Sequence, residues 1–332
     1  MKTALIFTGG TIGSTQKNGR IAPDTQTSSA LTGLIDAGHA QPFDFVCASP
    51  YMALSESLNG TRLNRLIACV REQMAAGAQA TIVFHGTDTL AYTAAALGYA
   101  FGNGSIPIVL VSANHPADDA RSNAKANLFG ALDFLTQTNA HGVFVVYKNR
   151  GNSVFVHRGT RLLEQAAFDD DVFSAAGQYF GRFTENGQFQ KNPGYNEEKD
   201  ELEPFADISF CENSGVLHFL PRPGMPLPAI AGDIKAVLLD SYHSGSIGTE
   251  SRALQAFCRE AQEKEIPIFL TGQKSSYESA AAFKKLHIQP LECLPPVSAY
   301  IKAWALSSTD CDWAKMTRSL GGDRILLNNN EL

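Results

Sequence analysis

The sequence predicts an α/β protein, with a larger N-terminal, mostly parallel sheet flanked by helices and a smaller C-terminal α/β domain. Three observations carry this reading. Short apolar runs alternate with amphipathic stretches over the first two-thirds of the chain. A charged, proline-bounded stretch, Lys-Asn-Pro-Gly-Tyr-Asn-Glu-Glu-Lys-Asp-Glu-Leu-Glu-Pro-Phe over 191–205, then interrupts the pattern as a linker would. After it the alternation resumes. At 332 residues the chain also suits two unequal domains better than one. The expected division is 1–190, a linker at 191–205, and 206–332.

Each element has its own signal. Thr3–Phe7 (Thr-Ala-Leu-Ile-Phe) is a buried strand by its unbroken apolar run, as are 80–84, 106–111 and 142–147. Between the first two, Leu63, Leu66, Ile67, Val70 and Met74 recur at helical spacing and predict a helix over 61–75. Further helices are expected near 90–101 and 122–136. Strand, helix and strand repeated in this way imply crossover connections, with helices on both faces of the sheet. In the second unit, 236–239 and 266–270 read as strands, and 250–264 and 298–306 as helices. The chain shows no internal repeat and no low-complexity tract.

Composition narrows the function classes. Apolar residues make up 44% and charged residues 18%, as in a globular protein with ample core. The net charge of −6 gives no electrostatic reason to expect nucleic acid or an anionic membrane as partner. No run of about 18 or more apolar residues suggests a membrane span. The N-terminus has no secretory signal, so the expected location is the cytoplasm. Six cysteines (Cys47, Cys69, Cys211, Cys258, Cys293, Cys311) have neither zinc spacing nor disulfide-scaffold density, and read as reduced thiols filling core space. No His/Asp/Glu cluster has ligand spacing, so neither a metal nor a cofactor is expected.

Two segments carry candidate chemistry. Thr8-Gly9-Gly10-Thr11 follows the first strand, and His85-Gly86-Thr87-Asp88-Thr89 follows another. In open parallel sheets, ligands bind outside the carboxyl ends of the strands. Glycines there free backbone amides for a carboxylate or a developing oxyanion, and a threonine hydroxyl beside a base can act as nucleophile. Gly9-Gly10 fits neither the dinucleotide fingerprint nor the phosphate loop, which disfavours nucleotide binding. A plain tight turn is the alternative for either segment alone. His85 directly follows an apolar run and reads as a packed, hydrogen-bonded histidine rather than a base.

Thr8-Gly9-Gly10-Thr11-Ile12-Gly13 and His85-Gly86-Thr87-Asp88-Thr89-Leu90 resemble the two signature segments of the bacterial-type L-asparaginase/glutaminase family, cytoplasmic type I-like. The likeness spans nearly the whole chain, including the break near residue 200. It implies that Thr11 is the nucleophile on a side-chain amide. Thr87 and Asp88 would form a second catalytic cluster with a lysine, and Asp88 would bind the substrate's α-amino group. Backbone near Ser55 and Glu56 would hold the α-carboxylate and amine. Gly10 and Gly86 would line the pocket, and the strand end at Val111-Ser112-Ala113 would receive the amide nitrogen. The family also implies a homodimer or a dimer of dimers, and a small-molecule amino-acid amide as substrate.

The chain departs from that pattern at four places. The family's Arg-Gly-Asn-Arg-x-x-Lys reads Arg158-Gly159-Thr160-Arg161-Leu162-Leu163-Glu164, so Glu164 stands at the lysine position. Phe173 keeps the family register nine residues on. Glu164 beside Asp88 should force one of the two carboxyls to a raised pKa. Lys148, at the end of the fourth strand, is the candidate substitute cation, with an exposed strand-end lysine as the alternative. Arg161 cannot serve as a base at ordinary pH, and Lys125 reads as a solvated helix residue. The loop Ser14–Pro23 lacks the family's activating tyrosine and carries Arg20 or Ile21 at its place. Ser112-Ala113-Asn114-His115-Pro116 and Arg121-Ser122-Asn123-Ala124-Lys125 replace Gly-Ser-Gln-Arg-Pro and Ser-Asp-Gly. Finally, Ser246 stands where a neighbouring subunit's asparagine usually completes the site. These changes leave three readings: an active amidohydrolase, an impaired amino-acid-binding or regulatory relative, and an amidohydrolase for a cationic amide.

Overall fold

A computed structural model describes residues 1–17, 20–23, 31–272 and 277–326. In chain order its strands are β1 (Lys2–Phe7), β2 (Ser14–Lys17), β3 (Arg20–Pro23), β4 (Asp44–Ala48), β5 (Ala80–Phe84), β6 (Pro107–Val111) and β7 (Gly142–Lys148). They continue with β8 (Val154–Arg158), β9 (Gly181–Phe183), β10 (Phe189–Lys191), β11 (Val216–Phe219), β12 (Ala236–Asp240), β13 (Ile268–Gly272) and β14 (Ile288–Glu292). The longer helices are α1 (Gly60–Ala75), α2 (Leu90–Phe101), α3 (Ala124–Gln137), α4 (Arg252–Glu263) and α5 (Pro296–Ser307).

The large sheet has the order β10-β9-β8-β7-β6-β5-β1-β4. Strands β4, β1, β5, β6 and β7 are parallel, and β8 to β10 are added antiparallel. The inner strands β1, β5, β6 and β7 are largely apolar because helices cover both of their faces, whereas the edge strand β4 is only partly buried. One face packs α1 and α2 through Ala4, Ile6, Leu66, Val83 and Leu97. The other packs α3 through Leu5, Ile82, Val109, Leu128 and Phe144. The smaller sheet is all parallel in the order β11-β12-β13-β14, with its own apolar layers around Leu239, Phe257 and Leu270 and around Leu238, Phe269 and Leu306.

The topology positions the site. The chain leaves β1, pairs β4 on one side of it, then returns to pair β5 on the other. Strand order therefore reverses at β1, and the crevice outside the carboxyl ends of β1 and β5 is the switch point where such sheets bind ligands.

The stretch expected to be a linker is tied down rather than free. Lys191 ends β10, Tyr195 is buried, Glu197 pairs with the buried Arg158 at 3.0 Å, and Glu201 N donates to Ser319 O at 3.0 Å. Helix α2 packs on α5, and between them Lys302 and Asp323 form a fully buried ion pair at 2.8 Å. The Tyr99 hydroxyl donates to the same Asp323 carboxylate at 3.0 Å.

Among the described residues no helix is long and apolar enough to cross a membrane, and no group of three or more His, Cys, Asp or Glu is gathered to hold a metal. Cys69 and Cys258 fill core as expected, but Cys47 and Cys211 are exposed. Cys47 lies between the partly buried Val46 and Ala48 on the edge strand β4, with its side chain outward.

Candidate functional site

The register of β1 against β5 pairs Phe7 with Phe84, and their rings stack with centroids 4.7 Å apart. Thr8 and His85 therefore leave the sheet side by side, each continuing the ladder by one bond: Thr8 N to Phe84 O at 3.1 Å and His85 N to Val111 O at 3.0 Å. A third segment joins them, since Gly10 N donates to Ala53 O at 2.8 Å and Ala53 N to Thr8 O at 3.0 Å.

Glycine is required where these segments cross. Gly9 has φ +101° and Gly10 has φ +72°, the left-handed half of backbone space that side chains disfavour. A Cβ on Gly10 would stand under 3.0 Å from the Gly86 backbone, and one on Gly86 under 3.0 Å from the Ser55 side chain. The two threonine loops thus interlock through Gly10, Gly86 and Ser55. Thr11 opens a single 3-10 turn, Thr11–Gly13, closed by Gly13 N to Gly10 O at 3.1 Å and by the Ser14 hydroxyl to Gly10 O at 2.6 Å. Thr87 O accepts from Leu90 N at 3.1 Å and so starts α2. Thr11 and Thr87 are partly exposed and Asp88 is exposed, so all three are accessible from outside the fold.

Behind them lies a buried polar chain. His85 Nδ1 is 2.8 Å from Thr8 Oγ1, and its Nε2 is 2.9 Å from Thr93 Oγ1 and 3.1 Å from Thr89 Oγ1. Burial lowers the His85 pKa to about 4, so the ring is neutral at physiological pH. Packed and hydrogen-bonded, His85 matches its sequence reading. The Thr89 hydroxyl donates to Ser55 O at 3.0 Å, and the buried Ser55 hydroxyl donates to Asp88 Oδ2 at 3.1 Å. Ser55 thus reaches the site through its side chain, although a backbone role was expected; Glu56 beside it is exposed.

Glu164 and Asp88 have separate partners. The Glu164 carboxylate accepts from the Tyr92 hydroxyl at 3.0 Å, whereas Asp88 accepts from Ser55. Burial first, and then the Glu164 charge, push the Tyr92 phenol up. Tyr92 meets Tyr300 edge to face, Tyr300 stacks on His218, and His218 pairs with Asp240 at 2.9 Å. Burial pushes Asp240 up, but its bonds to His218 and Thr271 outweigh this and leave the carboxyl below its usual value.

The other candidates spread out. Lys148 ends β7, with its side chain exposed in a cavity lined also by Asn114, Arg121, Tyr147 and Asp170. Its backbone is held by Asn127 and Asn123. Arg161 is fully buried, donating to Gly322 O and Arg324 O at 2.7 Å each and lying over the Tyr195 ring, so it serves the fold. Lys125 is exposed on α3 with its ammonium over Phe129. Ser112 is fully buried at the end of β6; its carbonyl accepts from Asn127, and its Oγ has no partner among the described residues. Ser246 sits in a turn after β12, where Tyr242 N donates to Ser246 O at 2.9 Å and the Ser244 and Ser246 hydroxyls are 2.8 Å apart. The side chains of Arg20 and Ile21 lie outside the described residues, so the missing-tyrosine reading stays an expectation.

Thr93 and Tyr92 were missed in the sequence. One signal for Thr93 was present, because His85, Thr89 and Thr93 recur every four residues, the spacing of one helix face.

With this geometry in hand, residues 2–194, more than half of the chain, match the family model described as Asparaginase, N-terminal. Among curated proteins, the chain is 27% identical over 264 residues to a glutamyl-tRNA(Gln) amidotransferase subunit of Pyrobaculum aerophilum, covering 72% of this chain and 60% of that one. It is 24% identical over 330 residues to the protein of the same name from Pyrococcus abyssi, covering 93% and 72%. Among solved structures, the thermostable L-asparaginase from Thermococcus kodakarensis superposes with a TM-score of 0.79 at 23% identity over 98% of this chain and 100% of that one. L-asparaginase I from Vibrio cholerae gives 0.77 at 20% identity over 98% and 99%. At these identities the superpositions establish the fold.

Proposed function

The chain belongs to the asparaginase family, and from that premise we propose that it hydrolyses the side-chain amide of L-asparagine or a related small amide, with Thr11 as nucleophile. The observation that carries the proposal is the interlock of the two threonine loops at the strand reversal, with Asp88 oriented by Ser55. Thr11 attacks the amide carbon, and backbone amides of the glycine-bearing turn stabilise the oxyanion. Thr87 and Asp88 face the same ligand, Asp88 pairing with its α-amino group. The Thr11 hydroxyl proton passes to the amide nitrogen as the C–N bond breaks and ammonia leaves; water then attacks the Thr11 ester, returns a proton to the Thr11 oxygen and releases the acid.

The experiment is ammonia release from L-asparagine and L-glutamine by the purified protein, against Thr11→Ala. Release well above that control supports the proposal; release no greater than the control removes it for these substrates. Glutamine belongs in the panel because two curated relatives are named as components of an amidotransferase for glutamyl-tRNA(Gln). The chain spans 60% of the Pyrobaculum relative, so what that whole protein's name describes is a proposal for this chain.

A second reading, an amino-acid-binding relative with little turnover, is supported by Glu164, which the sequence resemblance sets at the lysine position of the family's proton relay and whose carboxylate is bonded to Tyr92. It predicts calorimetric binding of aspartate without ammonia release, and a gain of release in Glu164→Lys. Failure to bind aspartate or asparagine would remove it.

A further inference from the structure

We propose that His85 is a positioning residue: its neutral imidazole ties the Thr8–Thr11 loop to the Thr87–Thr89 loop and fixes the spacing at which their hydroxyls meet one ligand. The catalytic consequence rests on the amidohydrolase reading above; the tie itself does not.

The hydroxyl bonds to backbone carbonyls match the tautomer with the proton on Nδ1. The Thr8 hydroxyl spends its proton on Phe84 O at 2.9 Å, so Thr8 Oγ1 accepts from His85 Nδ1–H. The Thr89 hydroxyl spends its proton on Ser55 O, so the donor to the Nε2 lone pair is Thr93 at 2.9 Å. His85 is 2% exposed, and the Thr89 backbone is a further hydrogen-bond partner of the ring. Each partner sits at a joint. Thr8 is the last residue before the positive-φ glycines, Thr89 immediately precedes α2, and Thr93 lies in the first turn of α2. Through Thr89 the tie extends to Ser55 O, and the Ser55 hydroxyl holds Asp88. One buried ring therefore connects the nucleophile's loop, the second threonine loop and the segment that orients Asp88. A hydrophobe in its place leaves buried hydroxyls short of a partner and lets each loop settle independently.

The fold contains a matched control. His157 on β8 is also buried, with Nδ1 2.8 Å from Ser174 Oγ, and its partner belongs to neither loop.

The test compares His85→Leu, His85→Gln and His157→Leu with the wild type by backbone hydrogen exchange, thermal melting, and kcat and KM for amide release. His85→Leu should speed exchange in 9–14 and 86–93 together, by about tenfold or more, and leave 142–148 protected. It should lower kcat by about a hundredfold with KM changed by less than about threefold, the signature of misplaced reacting groups. His85→Gln, which can both donate and accept, should recover part of both effects and gives the answer if the leucine variant does not fold. His157→Leu should lower the melting temperature while leaving exchange at both loops and kcat within about twofold of wild type. Loosening of one loop alone, or of neither, overturns the proposal, as does an equal effect from His157→Leu. If the wild type releases no ammonia, the amidohydrolase reading fails and the exchange data still decide the tie.

Discussion

Replacing Ser55 with alanine probes how Asp88 is held. Ser55 is 6% exposed, and its hydroxyl donates to Asp88 Oδ2 at 3.1 Å, while its side chain packs on the Gly86 backbone. A hydrogen bond to a charged group is worth about 1.5–3 kcal/mol, a range of roughly ten- to 150-fold in rate. Asp88 is exposed, so water replaces part of the lost bond, and the expected fall in kcat/KM lies at the low end, about ten- to thirtyfold. The small methyl in place of the hydroxyl should cost about 1 kcal/mol of stability or less. The assay is ammonia release from the better of asparagine and glutamine, with calorimetric binding of aspartate alongside. A weaker grip on the α-amino group should appear in both measurements. If kcat/KM and aspartate affinity both stay within about twofold of wild type, the Ser55–Asp88 contact does not orient the site and the reasoning fails.

Other consequences follow from the same structure. Gly10→Ala should cost about 1–3 kcal/mol from its positive φ alone, and more from the collision with the Gly86 backbone; loss of amide release with a lowered melting temperature checks this. His85 and His157 are held neutral by burial, with pKa values lowered to about 4 and about 3. The unfolded chain binds protons on these groups first, near pH 6.5, so stability is greatest above that value. It falls as pH drops toward 4, by on the order of 3 kcal/mol per group, and denaturant titrations across this window should show it, with a shallower slope in His157→Gln. Lys302→Met strands the fully buried Asp323 and should cost about 3–5 kcal/mol, while a further Asp323→Leu change should restore part of it; urea unfolding of both variants is the check.

What could be read from the sequence follows physical range. Strands β1, β5, β6 and β7 stood out because burial on two faces makes each an unbroken apolar run. Helix α2 was placed at its observed ends, Leu90 and Phe101. Strand β4 was missed because, at the sheet edge, none of its residues is fully buried, and β9 and β10 because each has only three residues. The stretch after Lys191 read as a linker because its charges are local, whereas the Arg158–Glu197 pair that anchors it spans the fold. Thr11, Thr87 and Asp88 stood out as candidates because each lies within two residues of a glycine after a strand end. The Ser55–Asp88 and Tyr92–Glu164 bonds were not, since 33 and 72 residues separate the partners. The expected crowding of Glu164 on Asp88 assumed that neighbouring positions share a contact, and each carboxylate instead has its own hydroxyl donor.

The most direct test of Thr11 as nucleophile is acid-quenched single turnover with L-asparagine, followed by peptide mapping by mass spectrometry. An aspartyl ester on the peptide bearing Thr11, absent in Thr11→Ala, is the predicted result. An ester on Thr87, or ammonia release undiminished in Thr11→Ala, would contradict it.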